Sequence, residues 1–289
     1  MQRRHFVRAL GGGSLALLAL GAGGWIWASY VAPYRVRVDT YRLGLQGLPE
    51  EFVGLRIAQV SDLHLGPLVS KDYLQGCMEK VMALDPDLIL LTGDFLSANG
   101  EINRGRNLDT YLPALQEVLG KLQAPYGVWA CLGNHDIALH PGRMERALTE
   151  AGVVVLRDSW QWLTSPEGSR LALGGLRDML EYPNPRKALE GVPPGHPTLL
   201  MMHQPDLFEQ WEGPENVLVF AGHLHGGQVN IPGVTQRYVP SAYGDKYLSG
   251  VFTDGSRTML VNRGLGVIRH RLRFRSPPEI SLVTLLGKL

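Results

Sequence analysis

Cysteine is almost missing from this chain. Cys77 and Cys131 are the only two in 289 residues, and neither lies in a CxxC or Cys/His pattern. That excludes a disulfide framework and a thiolate metal site. An excess of one charge is also missing: 28 Lys and Arg face 27 Asp and Glu, a formal net charge of +1. Nucleic-acid binders usually carry a markedly basic domain, and aromatic–basic interleaving for stacking on single strands is absent too, so no nucleic-acid partner is expected. There is no internal repeat, low-complexity tract or long linker. Hydrophobic residues make up 45% and charged residues 19%, which is too much core-forming material for a disordered chain. The 35 glycines and 19 prolines favour a loop-rich α/β or β-rich body over a helical bundle.

Charge is absent from residues 9–32, directly after a start that carries Arg3, Arg4 and Arg8 and no acid. A basic start followed by an apolar, Gly-rich run reads as a signal peptide or a single membrane anchor. Positive charge before the run would leave the start in the cytoplasm and send the rest across. Arg3-Arg4-His5-Phe6-Val7 resembles a twin-arginine export signal, with Gln2 where Ser or Thr is usual and Val7-Arg8 in place of Leu-Lys. A general secretory signal or a plain anchor is the alternative. Gly21-Ala22-Gly23 offers a small-residue cleavage site, but Trp25, Ile26 and Trp27 continue the apolar stretch like an interfacial belt. The expected organisation is a leader or anchor over 1–33 and one body over 34–289. The expected location is exported: membrane-anchored, or in the periplasm or cell envelope.

In the body, short apolar runs repeatedly stop at polar residues. Leu55–Val60 runs into Ser61-Asp62-Leu63-His64, Leu88–Leu91 into Thr92-Gly93-Asp94, and Gly127–Leu132 into Gly133-Asn134-His135-Asp136. Thr198–Met202 runs into His203, and Val217–Ala221 into Gly222-His223-Leu224-His225. Such runs read as buried strands, with helices expected over 71–84 and 143–151 and an edge strand over 36–42. Ligands in open α/β sheets bind beyond the carboxyl ends of strands, where these Asp, His and Asn residues fall. If the strand geometry continues through them, Asp62 with His64 and His223 with His225 each point to one side. Carboxylate, imidazole and amide donors without thiolate suit divalent Mn, Fe, Co or Zn.

Asp-x-His, Gly-Asp, Gly-Asn-His-Asp, an isolated His and Gly-His-x-His, in that order, resemble the calcineurin-like metallophosphoesterase family over roughly residues 53–286. The tail is similar to a subgroup of exported or membrane-attached bacterial members through Gly226-Gly227-Gln228-Val229, Tyr243-Gly244-Asp245-Lys246-Tyr247 and Asn262-Arg263-Gly264-Leu265-Gly266. The resemblance implies a four-layer α/β/β/α sandwich and two divalent ions. Asp62, His64, Asp94 and His225 would hold the first ion; Asp94, Asn134, His203 and His223 would hold the second, with Asp94 bridging. It also implies attack on a phosphodiester by a hydroxide shared between the ions. His135 would be the general acid, and Asp136 would orient its imidazole.

The substrate so implied is a phosphodiester or phospholipid-like small molecule of the envelope. The alternatives are a UDP-2,3-diacylglucosamine-type pyrophosphate hydrolase and a non-catalytic, metal-stabilised binder of phosphate ligands. Outside these motifs, Arg269, Arg271, Arg273 and Arg275 alternate as a solvated strand face or a basic stripe for anionic lipid headgroups. Cys131 reads as a small core residue unpaired with Cys77, and His140 as a loop histidine. The polar loop bearing Asn99, Asn103, Arg104, Arg106 and Asn107 follows Asp94, at a sheet edge whose loops could contribute to substrate choice.

Overall fold

The apolar runs become strands whose alternate residues face two different layers. In β3 (Leu88–Thr92), Leu88 and Leu90 pack toward a second sheet, while Ile89 and Leu91 pack toward helices. Both faces are covered, which is why the run is apolar throughout rather than alternating. The computed structural model describes residues 22–98, 108–211, 213 and 215–288. The arginines of the leader and the polar loop of Asn99–Asn107 lie outside the described residues.

Among the described residues, twelve strands form two six-stranded sheets. The first has the order β1 (Arg37–Gln46), β12 (Glu279–Lys288), β2 (Arg56–Val60), β3, β4 (Val128–Cys131) and β5 (Val154–Val155). The second has the order β10 (Gly250–Asp254), β11 (Arg257–Val261), β9 (Val217–Ala221), β8 (Thr198–Met201), β7 (Arg170–Gly175) and β6 (Ser159–Thr164). The pairs β2–β3 and β3–β4 are parallel, as is β8–β9, so each sheet delivers consecutive carboxyl ends to one edge. Ile57, Leu90, Leu199, Leu218 and Phe220 fill the space between the sheets. The first sheet's outer face is covered by α1 (Lys71–Met82), α2 (Leu108–Leu119) and α4 (Pro141–Glu150), the last preceded by the short α3 (Asn134–Leu139). A thinner layer, including α5 (Pro185–Ala188) and the turn Pro205–Phe208, covers the second. This is the α/β/β/α sandwich that the motif order implies.

Helix α1 shows why the sequence folds this way locally. The Ser70 hydroxyl accepts from the Tyr73 amide at its start, and Leu74, Cys77, Met78 and Val81 form its buried stripe. In α4, His140 is the cap: its Nδ1 accepts from the Arg143 amide at 3.3 Å, so this histidine has a local structural role. Cys77 and Cys131 are both buried and unpaired, as expected.

Residues 22–34 are helical and lie against the body through buried Ala28, Ser29, Ala32 and Pro33, leaving Trp25, Ile26, Trp27 and Tyr30 exposed. Among the described residues, no helix is long and apolar enough to cross a membrane. The alternating arginines do not form a strand. Residues 268–276 run as turns with one bridge at Phe274; Arg269 and Arg275 are exposed while Arg273 is completely buried. Charge repeating every second residue mimics strand periodicity, but the backbone turns at Arg269 (φ 58°) and Arg275 (φ 54°).

Candidate metal centre

The carboxyl ends of β2, β3, β4, β8 and β9 bring Asp62, His64, Asp94, Asn134, His203, His223 and His225 to one edge of the two sheets. The convergence does not come from strand alternation. Asp62 (φ 51°), His64 (φ 47°), Asp94 (φ 57°), His223 (φ 74°) and His225 (φ 52°) are all left-handed, a conformation uncommon in residues with a Cβ. Each chain turns sharply on leaving its strand, and the turn, not the pleat, aims the side chain. Strain of this kind persists only where surrounding contacts over-determine it. Here Asp62 and His64 donate their amides to the carbonyls of Gly93 (2.9 Å) and Asp94 (3.0 Å), locking two strand ends together. Gly93 allows a close approach, since a Cβ there would lie 2.6 Å from the Gly133 amide nitrogen.

Asp94 sits between two groups of donors. Its Oδ2 is 3.5 Å from His64 Nε2 and 3.2 Å from His203 Nε2. On one side, Asp62, His64 and His225 bring ligand atoms within 4.8 Å of one another; on the other, Asp94, His203 and His223 do the same. Imidazole nitrogens come close to one another, His64 Nε2 with His225 Nε2 at 3.1 Å and His223 Nδ1 with His203 Nε2 at 3.2 Å. Asp62 Oδ1 and Asn134 Oδ1 are buried and accept no hydrogen bond. A protein interior rarely leaves such oxygens unmatched, and acceptor atoms converging from several strands fit cations. The residues present therefore fit a pair of divalent ions.

Electrostatics prepares three of the four imidazole donors. Burial holds His64 and His225 well below the ordinary imidazole range and brings His223 down to about 4, so these rings are neutral and free to ligate. Burial opposes charge on His203 as well, but the Asp94 carboxylate outweighs it and lifts this imidazole to about 10. Asp94 is correspondingly held low by His203 against the effect of burial. The Nδ1 of His203 meets the Thr92 carbonyl at 2.7 Å, which turns Nε2 toward Asp94 and the centre.

Residues 55–227 match the calcineurin-like phosphoesterase family. The chain belongs to that family. It is 32% identical over 290 residues to the uncharacterized metallophosphoesterase YkuE of Bacillus subtilis, covering 99% of this chain and 98% of that one. It is 28% identical over 317 residues to the UDP-2,3-diacylglucosamine pyrophosphatase LpxG of Chlamydia trachomatis, covering 91% and 93%. It is 25% identical over 289 residues to the phosphodiesterase YaeI of Escherichia coli, covering 99% and 100%. The chain is thus a metal-dependent phosphoesterase, a hydrolase.

Two residues of this phosphoesterase differ from expectation in their contacts. The Asp136 carboxylate does not meet the His135 imidazole. It accepts three backbone amides, from Asp94 (2.8 Å), Phe95 (2.9 Å) and Gly133 (2.9 Å), and so braces the turns carrying Asp94 and Asn134. Burial and the neighbouring Asp94 charge raise its carboxyl to about 8. The group that orients His135 is the Ala98 amide, which donates to Nδ1 at 2.8 Å. In the neutral ring this places the proton on Nε2, leaving a donor available at the centre. The His135 ring also packs edge-on against His64, with centroids 4.6 Å apart.

Arg273 escaped the sequence reading as a site residue. Its guanidinium donates to the carbonyls of Arg263 (2.9 Å), Gly264 (2.9 Å), Gly266 (2.5 Å), Ser276 (3.1 Å) and His225 (3.5 Å), and also reaches His225 Nδ1 at 3.5 Å. The Asn262–Gly266 motif is thereby explained: it is the cradle of this arginine. The same segment returns amides from Leu265 to Ser61 (3.0 Å) and from Gly266 to Asp62 (2.7 Å). Nothing local in the sequence separates Arg273 from its exposed neighbours.

Proposed function

We propose that the protein is a two-metal phosphodiesterase acting on an envelope or lipid-derived phosphodiester. The observation that carries this reading is the position of the Asp94 carboxylate between two buried donor clusters. Asp62, His64, Asp94 and His225 would hold one ion, and Asp94, Asn134, His203 and His223 would hold the other. Two divalent ions supply Lewis acidity toward phosphoryl oxygens and lower the pKa of water to near neutrality. The chain's own residues do the rest. Four imidazoles, an amide and two carboxylates keep the site from neutralising the ions completely, so an anionic phosphoester is attracted. His135, held by the Ala98 amide with its proton on Nε2, donates that proton to the departing alkoxide. Asp136 keeps the Asp94 and Asn134 turns rigid, acting through the backbone. The uncharged stretch over 9–32 after a basic start supports work outside the cytoplasm, with a twin-arginine-like leader as the route.

The test is turnover of a bis-aryl phosphate against a mono-aryl phosphate by the full chain loaded with Mn, with bound metal counted in parallel. His135→Ala is expected to keep its metal and lose about 10²–10⁴-fold in kcat on the diester. Unchanged turnover in that variant removes His135 from its role; preference for the monoester refutes the diesterase reading. A second reading, hydrolysis of a UDP-diacylglucosamine-type pyrophosphate, is favoured by the similarity to LpxG. Faster cleavage of that pyrophosphate than of any diester would select it.

A further inference from the structure

A cavity of about 480 Å³ opens directly off the metal-ligand cluster, with His223 and His225 in its wall. Its volume is that of an ordinary small-molecule site. The rest of its lining is mostly apolar, supplied chiefly by Ile231, Val234, Tyr238, Ile268 and Leu272, with Gln228 and His270 as polar groups and Arg269 as the cation. A phosphate group has no use for such walls. Ile231 (41% exposed), Val234 (44%) and Tyr238 (47%) nevertheless stand open to solvent beside the catalytic centre.

The groove is built rather than accidental. On one wall the Thr235 hydroxyl, in a fully buried residue, accepts from the Ile231 amide at 2.7 Å and faces the carbonyls of Val229 (3.1 Å) and Ile231 (3.0 Å). The Gln228 side chain ties this segment to the opposite wall, accepting from the Ile268 amide (2.8 Å) and donating to the carbonyls of Ile268 (3.0 Å) and His270 (3.2 Å). At its far end, His270 and Leu272 also line a second cavity of about 460 Å³ that contains Trp25 and Tyr30. The two cavities therefore share a wall formed by His270 and Leu272.

We infer that this groove holds one hydrocarbon chain of the substrate, attached to the phosphoester that sits on the metal centre. The inference rests on the phosphoesterase centre described above and assigns the apolar part of the molecule it acts on. Continuity with the ligand histidines selects this occupant, because a chain covalently joined to the bound phosphate is the apolar group the centre itself delivers. Arg269 suits the anionic head of the same molecule.

The test is calorimetric binding of n-alkyl monophosphates, from ethyl to decyl and below their micellar concentrations, to the full chain loaded with Mn. Each methylene entering the groove is expected to tighten binding about fourfold, with a heat-capacity change that becomes more negative as the chain lengthens. Ile231→Gln and Val234→Gln, uncharged changes at half-exposed positions that folding tolerates, are expected to flatten this dependence. Val154→Glu, on the exposed edge strand β5, leaves the dependence steep. Affinity independent of chain length in the wild type overturns the proposal, as does a slope that survives in both groove variants. Bis-aryl phosphate turnover is measured separately. A steep chain-length dependence without diester turnover refutes the diesterase reading and keeps the groove; turnover with a flat dependence does the reverse.

Discussion

Arg273 shows how much a single buried cation can organise. Its guanidinium spans carbonyls from the segments that carry Arg263, Gly266, Ser276 and the ligand His225, and burial pulls its pKa down to about 10. Next to burial, its charge is the main influence keeping His225 deprotonated. Replacing it by Met would leave several buried carbonyls without donors, each costing about 1–3 kcal/mol. Arg273→Met is therefore expected to unfold at least about 3 kcal/mol more easily in urea and to bind Mn more weakly. Arg273→Lys should recover only part of the loss, because an ammonium cannot present a planar fork of donors. A stable, metal-competent Met variant would show that the cradle is dispensable.

At the scale of the element, the centre is a set of strand-to-turn transitions held in a costly backbone conformation. Five of the metal-ligand residues are left-handed, and Asp136 ties two of the turns together through the amides of Asp94 and Gly133. Cations bound by these turns favour the folded state by mass action, about 4 kcal/mol at a thousandfold excess over Kd. Spread over a body of this size, chelation of the metals is expected to lower the Tm by on the order of 10 °C. The comparison to make is differential scanning calorimetry with Mn, with chelator, and with chelator followed by Mn. A Tm indifferent to chelator would mean the turns hold their shape without help.

The strands, helix α1 and the ligand residue types were legible because they depend on short-range pattern. The apolar run of β9 over 217–221 has the bounds read from the sequence, and β2 and β3 differ from theirs by one residue at an end. Asp94 was expected to bridge, and its carboxylate does lie between His64 and His203. The expected geometry of Asp-x-His and His-x-His was wrong in its cause, because the sharp backbone turn begins at the first residue of each pair. The role of Asp136 was missed because its partners are backbone amides, which leave no mark in side-chain identity.

Across the whole molecule, the two sheets share an apolar interface, and their carboxyl ends meet along one edge, so ligands separated by more than a hundred residues converge. Residues 22–34 rest on the far side of the Arg273 cradle, where the Arg273 amide donates to the Ala28 carbonyl at 2.9 Å. A chain beginning at Tyr34 loses that bond and the burial of Ala28, Ala32 and Pro33. It is expected to keep its full Mn stoichiometry while its Tm falls by several degrees, and metal analysis beside thermal unfolding checks both. Loss of metal on truncation would instead make the N-terminal segment part of the centre.

Sequence alone determined which residue types would gather and at which strand ends, because hydrophobic periodicity and its abrupt stops are written in neighbouring positions. It also determined the family, through five short motifs in a set order. Tertiary structure decided what each neighbouring group does: which amide holds His135, which arginine supports His225, and where an apolar groove meets the metal ligands. Those outcomes depend on contacts between segments distant along the chain, and no local pattern encodes the path by which such segments approach.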